Sequence, residues 1–289
     1  MKALAEFILR GRIQAVAVAM MGSFFPFIGH SAIALVSLAK GATQGFWIFM
    51  WVSLPLVLLH YMSADNPLII ALSIASLGLM VFAGVMHQSL ASWQWTTVAT
   101  IVASVIVAIG LGSLMAESVD NLMNQIMAVI AEISNMQDRG LQPMAITRSS
   151  LLGGVAMLLS LGCIISLMIA RWWQALIYNP GGFQEEFHQF TIESKITVIL
   201  VGAMLLVLLL PEDYRFWVTL PSIPFLLAGI ALVHFAVKLF QLGMHWLVMF
   251  YLAMLLFGAF MAVFLMGLAI GDSFLNLRRT LIEYKKRKY

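Results

Sequence analysis

Long apolar blocks follow one another along the chain and are separated by short polar connectors. Several blocks reach the ~18 apolar residues that indicate a transmembrane helix. Hydrocarbon offers no hydrogen-bond partner to a free backbone amide, so each block is expected to be helical. The pattern predicts eight spans: Ile13–Leu38, Phe46–Tyr61, Leu68–Met86, Trp95–Met115, Ser150–Ala170, Ile196–Leu210, Phe216–Phe240 and Trp246–Ile270. The predicted fold class is all-α: a polytopic transmembrane helix bundle, formed by one integral membrane domain over residues 1–289.

Three prolines leave the number of spans open. One alternative is that Pro26 breaks the first block into two short passes, and another is that Pro221 and Pro224 make the seventh block partly re-entrant. Composition agrees with the membrane interpretation, since 62% of the 289 residues are hydrophobic and 10% are charged. Soluble domains carry about 25% charged residues. The lipid bilayer is therefore the predicted main partner of this chain.

The connector at 116–147 contains an amphipathic pattern. Its apolar residues recur at three- and four-residue steps from Val119 to Ile133, and the opposite face carries Glu117, Asp120 and Glu132. An acidic face is unusual for a helix on anionic lipid. We therefore expect the segment Glu117–Asp138 to dock against protein, either the basic C-terminal helix of this chain or another molecule. A helix that rests in the membrane interface is the alternative.

Basic residues concentrate at the two ends of the chain. The C-terminal segment Asp272–Tyr289 begins with a candidate N-cap, Asp272, and ends in a basic cluster, so a basic cytoplasmic tail is predicted at 272–289. With eight spans both termini lie on one side, and the positive-inside rule places them in the cytoplasm together with the connector at 116–147. The loop at 171–193 is then extracytoplasmic. The predicted location is the cytoplasmic (inner) membrane of a bacterium, with multiple passes.

The loop at 171–193 carries more polar chemistry than a connector requires. Asn179-Pro-Gly-Gly is a turn signal, and the tryptophans suit the headgroup level. Below the loop, His234, Lys238, Gln241 and His245 follow one another at steps of four, three and four residues. Ionisable residues inside a span indicate a functional site, because their burial costs several kcal/mol. The candidate ligand-binding residues are Arg171, Trp172, Trp173, Asn179, Glu185, His188, His234 and Lys238.

Several function classes receive no support from the sequence. None of the serine-hydrolase, zinc-protease, phosphate-loop or dinucleotide-binding motifs occurs, so no catalytic residue and no cofactor are predicted. Glu185 and His188 form one Glu-x-x-His element, whereas a carboxylate-bridged metal pair requires two, so no metal site is predicted. Cys163 is the sole cysteine and is expected to be a buried thiol. No segment predicts the soluble basic face of a nucleic-acid partner.

Four stretches carry a resemblance to a known family: "ALVSLAKGATQG", "ARWWQALIYNPGGFQEEFHQF", "PFLLAGIALVHF" followed by "HWLVMFYLAMLL", and "GLAIGDSFLNLRR". Together they resemble the YybS-like family of bacterial predicted integral membrane proteins, a domain of unknown function. In the first stretch Ala39 stands where many members have a second basic residue. The family is distantly similar to the substrate-binding membrane subunits of energy-coupling-factor vitamin transporters. The resemblance implies a ligand bound near the outer face and separate ATPase and coupling subunits.

Two functions remain in competition at the level of sequence. The first is a small-molecule-binding or transport-related membrane subunit, in which Arg171 holds an anionic group, Trp172 and Trp173 hold an apolar body, and His234 and Lys238 supply polar contacts. The second is a non-catalytic membrane scaffold that assembles with itself or another membrane complex through Glu117–Asp138 and Asp272–Tyr289. A lipid-modifying enzyme using Glu185, Glu186 and His188 lacks a second catalytic element. The polar stripe favours the binding subunit.

Overall fold

The computed structural model of the chain describes residues 1–23, 25, 27–62, 67–136 and 146–288. Pro26, Asp138 and Tyr289, which entered the sequence predictions, lie outside these ranges. Thirteen α-helices occur in the described ranges: α1 Lys2–Arg10, α2 Arg12–Gly22, α3 Ile28–Lys40, α4 Ala42–Met62, α5 Pro67–Leu90, α6 Trp93–Leu114, α7 Ala116–Met136, α8 Arg148–Tyr178, α9 Gly182–His188, α10 Ser194–Leu208, α11 Thr219–Leu239, α12 Met244–Leu275 and α13 Leu277–Lys288. A 3-10 helix at Glu212–Val218 precedes α11.

Five helical segments of the described chain are long and apolar enough to cross a membrane: Pro67–Leu90, Trp93–Leu114, Arg148–Tyr178, Glu212–Leu239 and Met244–Leu275. Shorter apolar helices surround them, at Arg12–Gly22, Ile28–Lys40, Ala42–Leu58 and Ser194–Leu208. The prediction of an all-α membrane-type bundle is confirmed at this level. The predicted count of eight spans is not confirmed, because the first and the last apolar blocks each divide into two shorter helices that turn back. A first block broken in two is the alternative that the sequence left open.

The first predicted span, Ile13–Leu38, is wrong as a single helix. Helices α2 and α3 pack against each other, and their backbones touch at two glycines. A Cβ on Gly29 would lie 2.5 Å from the Ala19 carbonyl oxygen, so only glycine permits this approach. With 11 and 13 residues, the two helices are ~16 and ~20 Å long at 1.5 Å per residue, shorter than the ~30 Å hydrocarbon core. They form a hairpin of two half-length helices.

Helix α3 occupies the centre of the bundle. Residues Ser31 to Leu38 are all buried, and α3 contacts α2, α4, α5 and α8. Its small side chains allow this close packing on every side. The Ser31 hydroxyl lies within hydrogen-bond distance of two backbone carbonyl oxygens, that of Phe27 at 2.7 Å and that of Ser166 in α8 at 3.0 Å. The hairpin is therefore anchored to α8.

The last predicted span, Trp246–Ile270, is also not a straight helix. At Gly258 the backbone leaves the helical region (φ 26°, ψ −100°), and α12 divides there into two arms of 14 and 17 residues. Both arms contact the same stretch of α11. Tyr251 of the first arm bonds to His234, and the Leu265 backbone of the second arm abuts Gly229. Only a reversal at Gly258 brings Leu265 back to the middle of α11.

Hydrogen bonds identify which helix ends lie together. At one end, which we call the α9 end, the Gln174 amide of α8 contacts the Leu38 carbonyl, and the Glu193 N–H donates to Gln94. The ammonium group of Lys40 donates to the carbonyl of Leu9 at the same end. At the other end, the α7 end, Arg148 donates to the Gly112 carbonyl. Among the described residues, α4, α5, α6, α8, α10 and α11 run between the two ends.

The C-terminal helix also lies at the α9 end. The Arg278 guanidinium donates to the Phe190 carbonyl at 2.8 Å, and the Lys285 ammonium donates to the Leu239 carbonyl at 2.7 Å. The loop at 171–193 and the tail at 272–289 are thus in contact, which contradicts the prediction that the membrane separates them. The physical reason is the number of membrane crossings. The α2–α3 hairpin and the two arms of α12 each leave and return at the same end, so neither adds a crossing.

The amphipathic helix predicted at 116–147 is present as α7, which contacts α5, α6 and α8 at the α7 end. In the described residues it has no contact with α13, so docking of α7 on the basic tail of the same chain is wrong. Asp272 is not the N-cap of the tail helix either, because it lies inside α12. Its carboxylate nevertheless accepts from the Arg278 backbone N–H at 3.3 Å, after Asn276 breaks the helix in the left-handed region (φ 50°).

Charge is distributed unequally between the two ends. Of the basic residues that the structure describes, only Arg148 and Arg215 lie at the α7 end. The α9 end holds Lys2, Arg10, Arg12, Lys40, Arg171, Lys195, Lys238, Arg278, Arg279, Lys285, Lys286, Arg287 and Lys288. Acidic residues occur at both ends. The two ends of the bundle therefore differ strongly in electrostatic potential.

Candidate functional site

Helix α9 is formed by the conspicuous polar stretch of the sequence. Helix α8 ends at Tyr178 and is capped by Asn179, and Gly181 takes a positive φ of 92° that reverses the chain into α9. The positive φ favours glycine at 181, and a Cβ on Gly182 would displace the Asn179 side-chain amide. Asn179 serves the turn rather than a cavity. The short helix that follows lies across the ends of α8 and α11.

An ion pair ties α9 to α8. The Arg171 guanidinium makes two hydrogen bonds to the Glu186 carboxylate, one of them from Nε at 3.1 Å. Its Nη1 donates to the Gln174 side chain at 3.1 Å. Bidentate pairs of this kind fix geometry as well as charge. Arg171 is therefore engaged in holding α9 in place and lines neither of the cavities described below.

The two adjacent tryptophans of the loop have different environments. Trp173 is 1% exposed and packs in the core of the bundle. Trp172 is 40% exposed and lies on the wall of a cavity beneath α9. One helical position separates them by about 100°, which is enough to direct one ring inward and the other to the site. Of this pair, only Trp172 is placed to contact a ligand.

The cavity beneath α9, which we call the apolar cavity, has a volume of about 610 Å³ and lies between α8, α9, α11 and α12. Its walls include Trp172, Leu176, Phe183, Phe187, His234 and Tyr251. Nε2 of His234 and the Tyr251 hydroxyl are 2.8 Å apart and form a hydrogen bond. The volume falls within the range of ~300–1,000 Å³ that is usual for small-ligand sites. Mostly apolar walls with a few convergent polar groups are typical of such sites.

A row of aromatic rings supports the apolar cavity. Phe183 and Phe187 stack on α9 with centroids 6.0 Å apart, and the Phe187 ring meets the edge of His234 at 5.6 Å. Trp93 contacts Phe183 from the start of α6, also at 6.0 Å. Such pairs contribute about 0.5–1.5 kcal/mol each beyond the burial of area. The row links α6, α9, α11 and α12, so the cavity walls are held by packing rather than by α9 alone.

A second cavity of about 390 Å³, which we call the charged cavity, adjoins the first. Its walls are Glu185, His188, Gln189, Phe235, Lys238 and Leu239. His188 lines both cavities and is 7% exposed. Burial and the nearby Lys238, His234 and Arg278 lower the pKa of His188 to about 4, so its imidazole is neutral at pH 7. The two cavities together contain Trp172, Glu185, His188, His234 and Lys238 of the predicted site.

The polar stripe predicted in the seventh span is present only in part. His234 and Lys238 lie one turn apart on α11 and line adjoining cavities. Gln241 has a positive φ of 54° in the link to α12, and His245 stacks near Trp246 at the start of that helix. The stripe therefore ends with α11, because the chain leaves the helix after Leu239.

Sequence reasoning missed several residues of the site. Phe183, Phe187 and Tyr251 line the apolar cavity. In the sequence Phe183 and Phe187 alternate with polar residues in the loop, and Tyr251 is an ordinary aromatic residue of an apolar run. A salt bridge between Asp272 and Arg278, with 3.4 Å between Oδ2 and Nε, closes the α9 end beside Phe235. The Asp-x-x-x-x-x-Arg spacing was the one sequence feature that indicated this pair.

No protein-family model, no curated protein and no solved structure matches the chain.

Proposed function

We propose that this chain is a membrane-embedded binding protein that takes up a small molecule in the apolar cavity between α8, α9, α11 and α12. The observation that carries the proposal is the cavity itself, whose volume of about 610 Å³ is bounded by aromatic walls and by the bonded pair His234 and Tyr251. Pockets of this size, with few convergent polar groups, are the ordinary form of small-ligand sites.

The ligand would reach the site from the cytoplasmic side or from the adjoining bilayer leaflet. Nearly all basic residues of the described chain lie at the α9 end, and the positive-inside rule assigns such an end to the cytoplasm. Both termini then remain cytoplasmic, as the sequence predicted. The loop at 171–193 becomes cytoplasmic and α7 extracytoplasmic, the reverse of the sequence prediction. The proposed location is the cytoplasmic membrane of a bacterium.

A transport-related role goes with this proposal. It rests on the resemblance of the four sequence stretches to the YybS-like family, whose distant relatives bind vitamins for energy-coupled uptake. Half-length helices inside a membrane bundle are a recurring feature of transporter binding sites. The α2–α3 hairpin and the two arms of α12 are such half-length elements. Release of a ligand across the membrane would require separate subunits that supply energy.

The experiment is native mass spectrometry of protein extracted from its own membranes in a mild detergent. We expect a small-molecule adduct on the wild-type chain and its loss in Leu176→Trp, which places an indole in the apolar cavity. The matched control is Leu206→Trp on the lipid-facing side of α10, where the side chain is 62% exposed. An adduct retained equally by both variants would place the ligand elsewhere, and no adduct on any chain would remove the support for binding.

A further inference from the structure

We infer that the ligand is a zwitterionic amphiphile, whose apolar chain fills the apolar cavity and whose headgroup spans Lys238 and Glu185 in the charged cavity. This inference rests on the proposed binding function and adds the class of ligand. The probe class is a single-chain phospholipid with a phosphate and a primary ammonium group. Such a headgroup carries one charge of each sign, which is what the walls of the charged cavity present.

The two cavities adjoin one another, and the charged cavity lies nearer the α9 end. His188 lines both, and its ring centroid lies 6.4 Å from that of His234. Along α11, His234 belongs to the apolar cavity and Lys238 to the charged cavity, one turn nearer the α9 end. A molecule that occupies both therefore has its apolar part toward the middle of the bundle and its headgroup at the membrane surface. That is the orientation of a lipid in the adjacent leaflet.

The charges of the charged cavity do not neutralise each other by direct contact. Lys238 and Glu185 line the same cavity, yet neither forms a salt bridge within the described part of the chain. Both side chains are exposed. A headgroup whose phosphate meets the ammonium group of Lys238 and whose ammonium meets the Glu185 carboxylate would satisfy both groups at once.

The walls of the charged cavity carry one charged group of each sign, and most neighbouring titratable groups are neutral or compensated. His188 is neutral at pH 7, because its surroundings lower its pKa to about 4. Arg278, which packs over Phe235, is compensated by Asp272, with both side chains of that pair less than 10% exposed. His234 is bonded to the Tyr251 hydroxyl. Lys285, whose ammonium donates to the carbonyl of the wall residue Leu239, adds a positive charge beside the cavity but is not one of its walls. Among the walls themselves Lys238 and Glu185 are the charged pair, one of each sign, which matches a zwitterionic headgroup.

The apolar cavity suits a chain better than a compact polar body. Its lining is formed by Met168, Ile169, Trp172, Leu176, Phe183 and Phe187 together with the His234–Tyr251 pair. Trp172 and Tyr251 are 40% and 47% exposed, so the wall between α8 and α12 is open at the side. Lateral opening allows an acyl chain to enter from the bilayer without crossing the headgroup region.

The test compares three lysolipids of identical acyl chain: lysophosphatidylethanolamine, lysophosphatidylglycerol and the uncharged monoacylglycerol. Binding to purified protein is measured by isothermal titration, below the critical micelle concentration of each probe. We expect the zwitterionic probe to bind at least tenfold more tightly than the other two. Glycerophosphoethanolamine, which has the headgroup without the chain, should bind at least a hundredfold more weakly than the full probe.

Charge variants separate the two halves of the headgroup site. Lys238→Gln should weaken both phosphate-bearing probes about tenfold and leave the monoacylglycerol unchanged. Glu185→Gln should weaken the zwitterionic probe and strengthen lysophosphatidylglycerol, which inverts their order. The matched controls are Lys195→Gln and Glu193→Gln, exposed residues at the α9 end that line neither cavity. They should reproduce the wild-type affinities.

The outcomes distinguish this inference from the binding function on which it rests. If all three probes bind with equal affinity and only Leu176→Trp abolishes binding, the apolar cavity is a binding site but the zwitterionic headgroup is refuted. If Lys238→Gln and Glu185→Gln have the same effect as their controls, the charged cavity is not the headgroup site. If no probe binds and the native protein carries no adduct, both the inference and the proposed function fail.

Discussion

The buried salt bridge between Asp272 and Arg278 offers the sharpest test of how the α9 end is held together. The side chains of the pair are 5% and 9% exposed, and Arg278 also donates to the Phe190 carbonyl at 2.8 Å. Replacement of Asp272 by Asn leaves the guanidinium charge without compensation in a buried site. Removal of one partner from a buried pair costs about 3–5 kcal/mol. We expect Asp272→Asn to lower the free energy of unfolding by about 3 kcal/mol.

The neighbouring pair on α13 supplies a matched control. Arg279 and Glu283 are one turn apart, 2.9 Å from Nε to Oε1, with 77% and 51% of their side chains exposed. Exposed i,i+4 pairs contribute about 0.3–0.5 kcal/mol, so Glu283→Gln should be nearly silent. The assay is equilibrium unfolding in mixed micelles with increasing SDS, read by tryptophan fluorescence. Trypsin should also cut α13 faster in Asp272→Asn, because the start of α13 loses its ion pair with the end of α12.

The double variant Asp272→Asn with Arg278→Met completes this test. Because it removes both charges, it should recover most of the lost stability, as buried pairs replaced by apolar groups are often neutral. Unfolding of Asp272→Asn at the same SDS mole fraction as Glu283→Gln would show that the buried pair contributes no more than an exposed one. A double variant less stable than the single one would show that the cost does not come from an uncompensated charge.

Two further predictions concern the reversal of α12 and the titration of α9. Gly229→Val should lower the free energy of unfolding by about 1–3 kcal/mol, because the valine side chain would overlap the Leu265 carbonyl. Gly202→Val, which has open space around it, is the control and should have no such effect. Equal melting temperatures of the two variants would contradict the contact between Gly229 and Leu265. His188 has a native pKa of about 4 against ~6.5 unfolded, so the native state binds fewer protons between these values. Its contribution to stability is complete above pH 6.5 and falls toward pH 4, by on the order of 3 kcal/mol. The pH slope of the unfolding free energy should be steeper in wild type than in His188→Gln, and parallel slopes would contradict the shifted pKa.

Sequence patterns predicted the local elements well where one physical signal dominates. The apolar blocks of α5, α6 and α8 were placed within a few residues at most of their ends, except that α8 extends to Tyr178. That extension follows from side chains such as Trp173 and Ala175, which are buried by protein rather than by lipid. The repeat of apolar residues at three- and four-residue steps likewise predicted helix α7. In each case the signal resides in the segment itself.

The reversals could not be read from the same signals. The run from Met244 to Leu275 is continuously apolar, and a lone glycine at 258 does not distinguish a bend from a straight helix. What decides the matter is a contact between distant residues, the backbone of Leu265 against Gly229. Because each hairpin changes the count of crossings, the error at Gly258 reverses the predicted side of the loop at 171–193 relative to the tail, and the error at the α2–α3 hairpin reverses it relative to the N-terminus. The local pattern of apolar residues does not determine whether the number of crossings is even or odd.

The candidate site illustrates the same limit. The sequence indicated the right region, and His188, His234 and Lys238 do meet across α9 and α11. It could not predict the ion pair between Arg171 and Glu186, because this pair depends on the angle at which α9 folds back on α8. Nor could it separate Trp172 from Trp173, since helix rotation about its axis depends on the packing of the whole bundle.

The most direct test of the account is the sidedness of three single cysteines in a Cys163→Ala background, probed with a membrane-impermeant maleimide. Gln184→Cys reports on α9, Lys286→Cys on α13 and Asp120→Cys on α7, all at exposed positions. We predict that Asp120→Cys is labelled in intact cells, whereas Gln184→Cys and Lys286→Cys are labelled only after lysis. Labelling of Gln184→Cys and Lys286→Cys from opposite sides of the membrane would contradict the shared α9 end and the site built upon it.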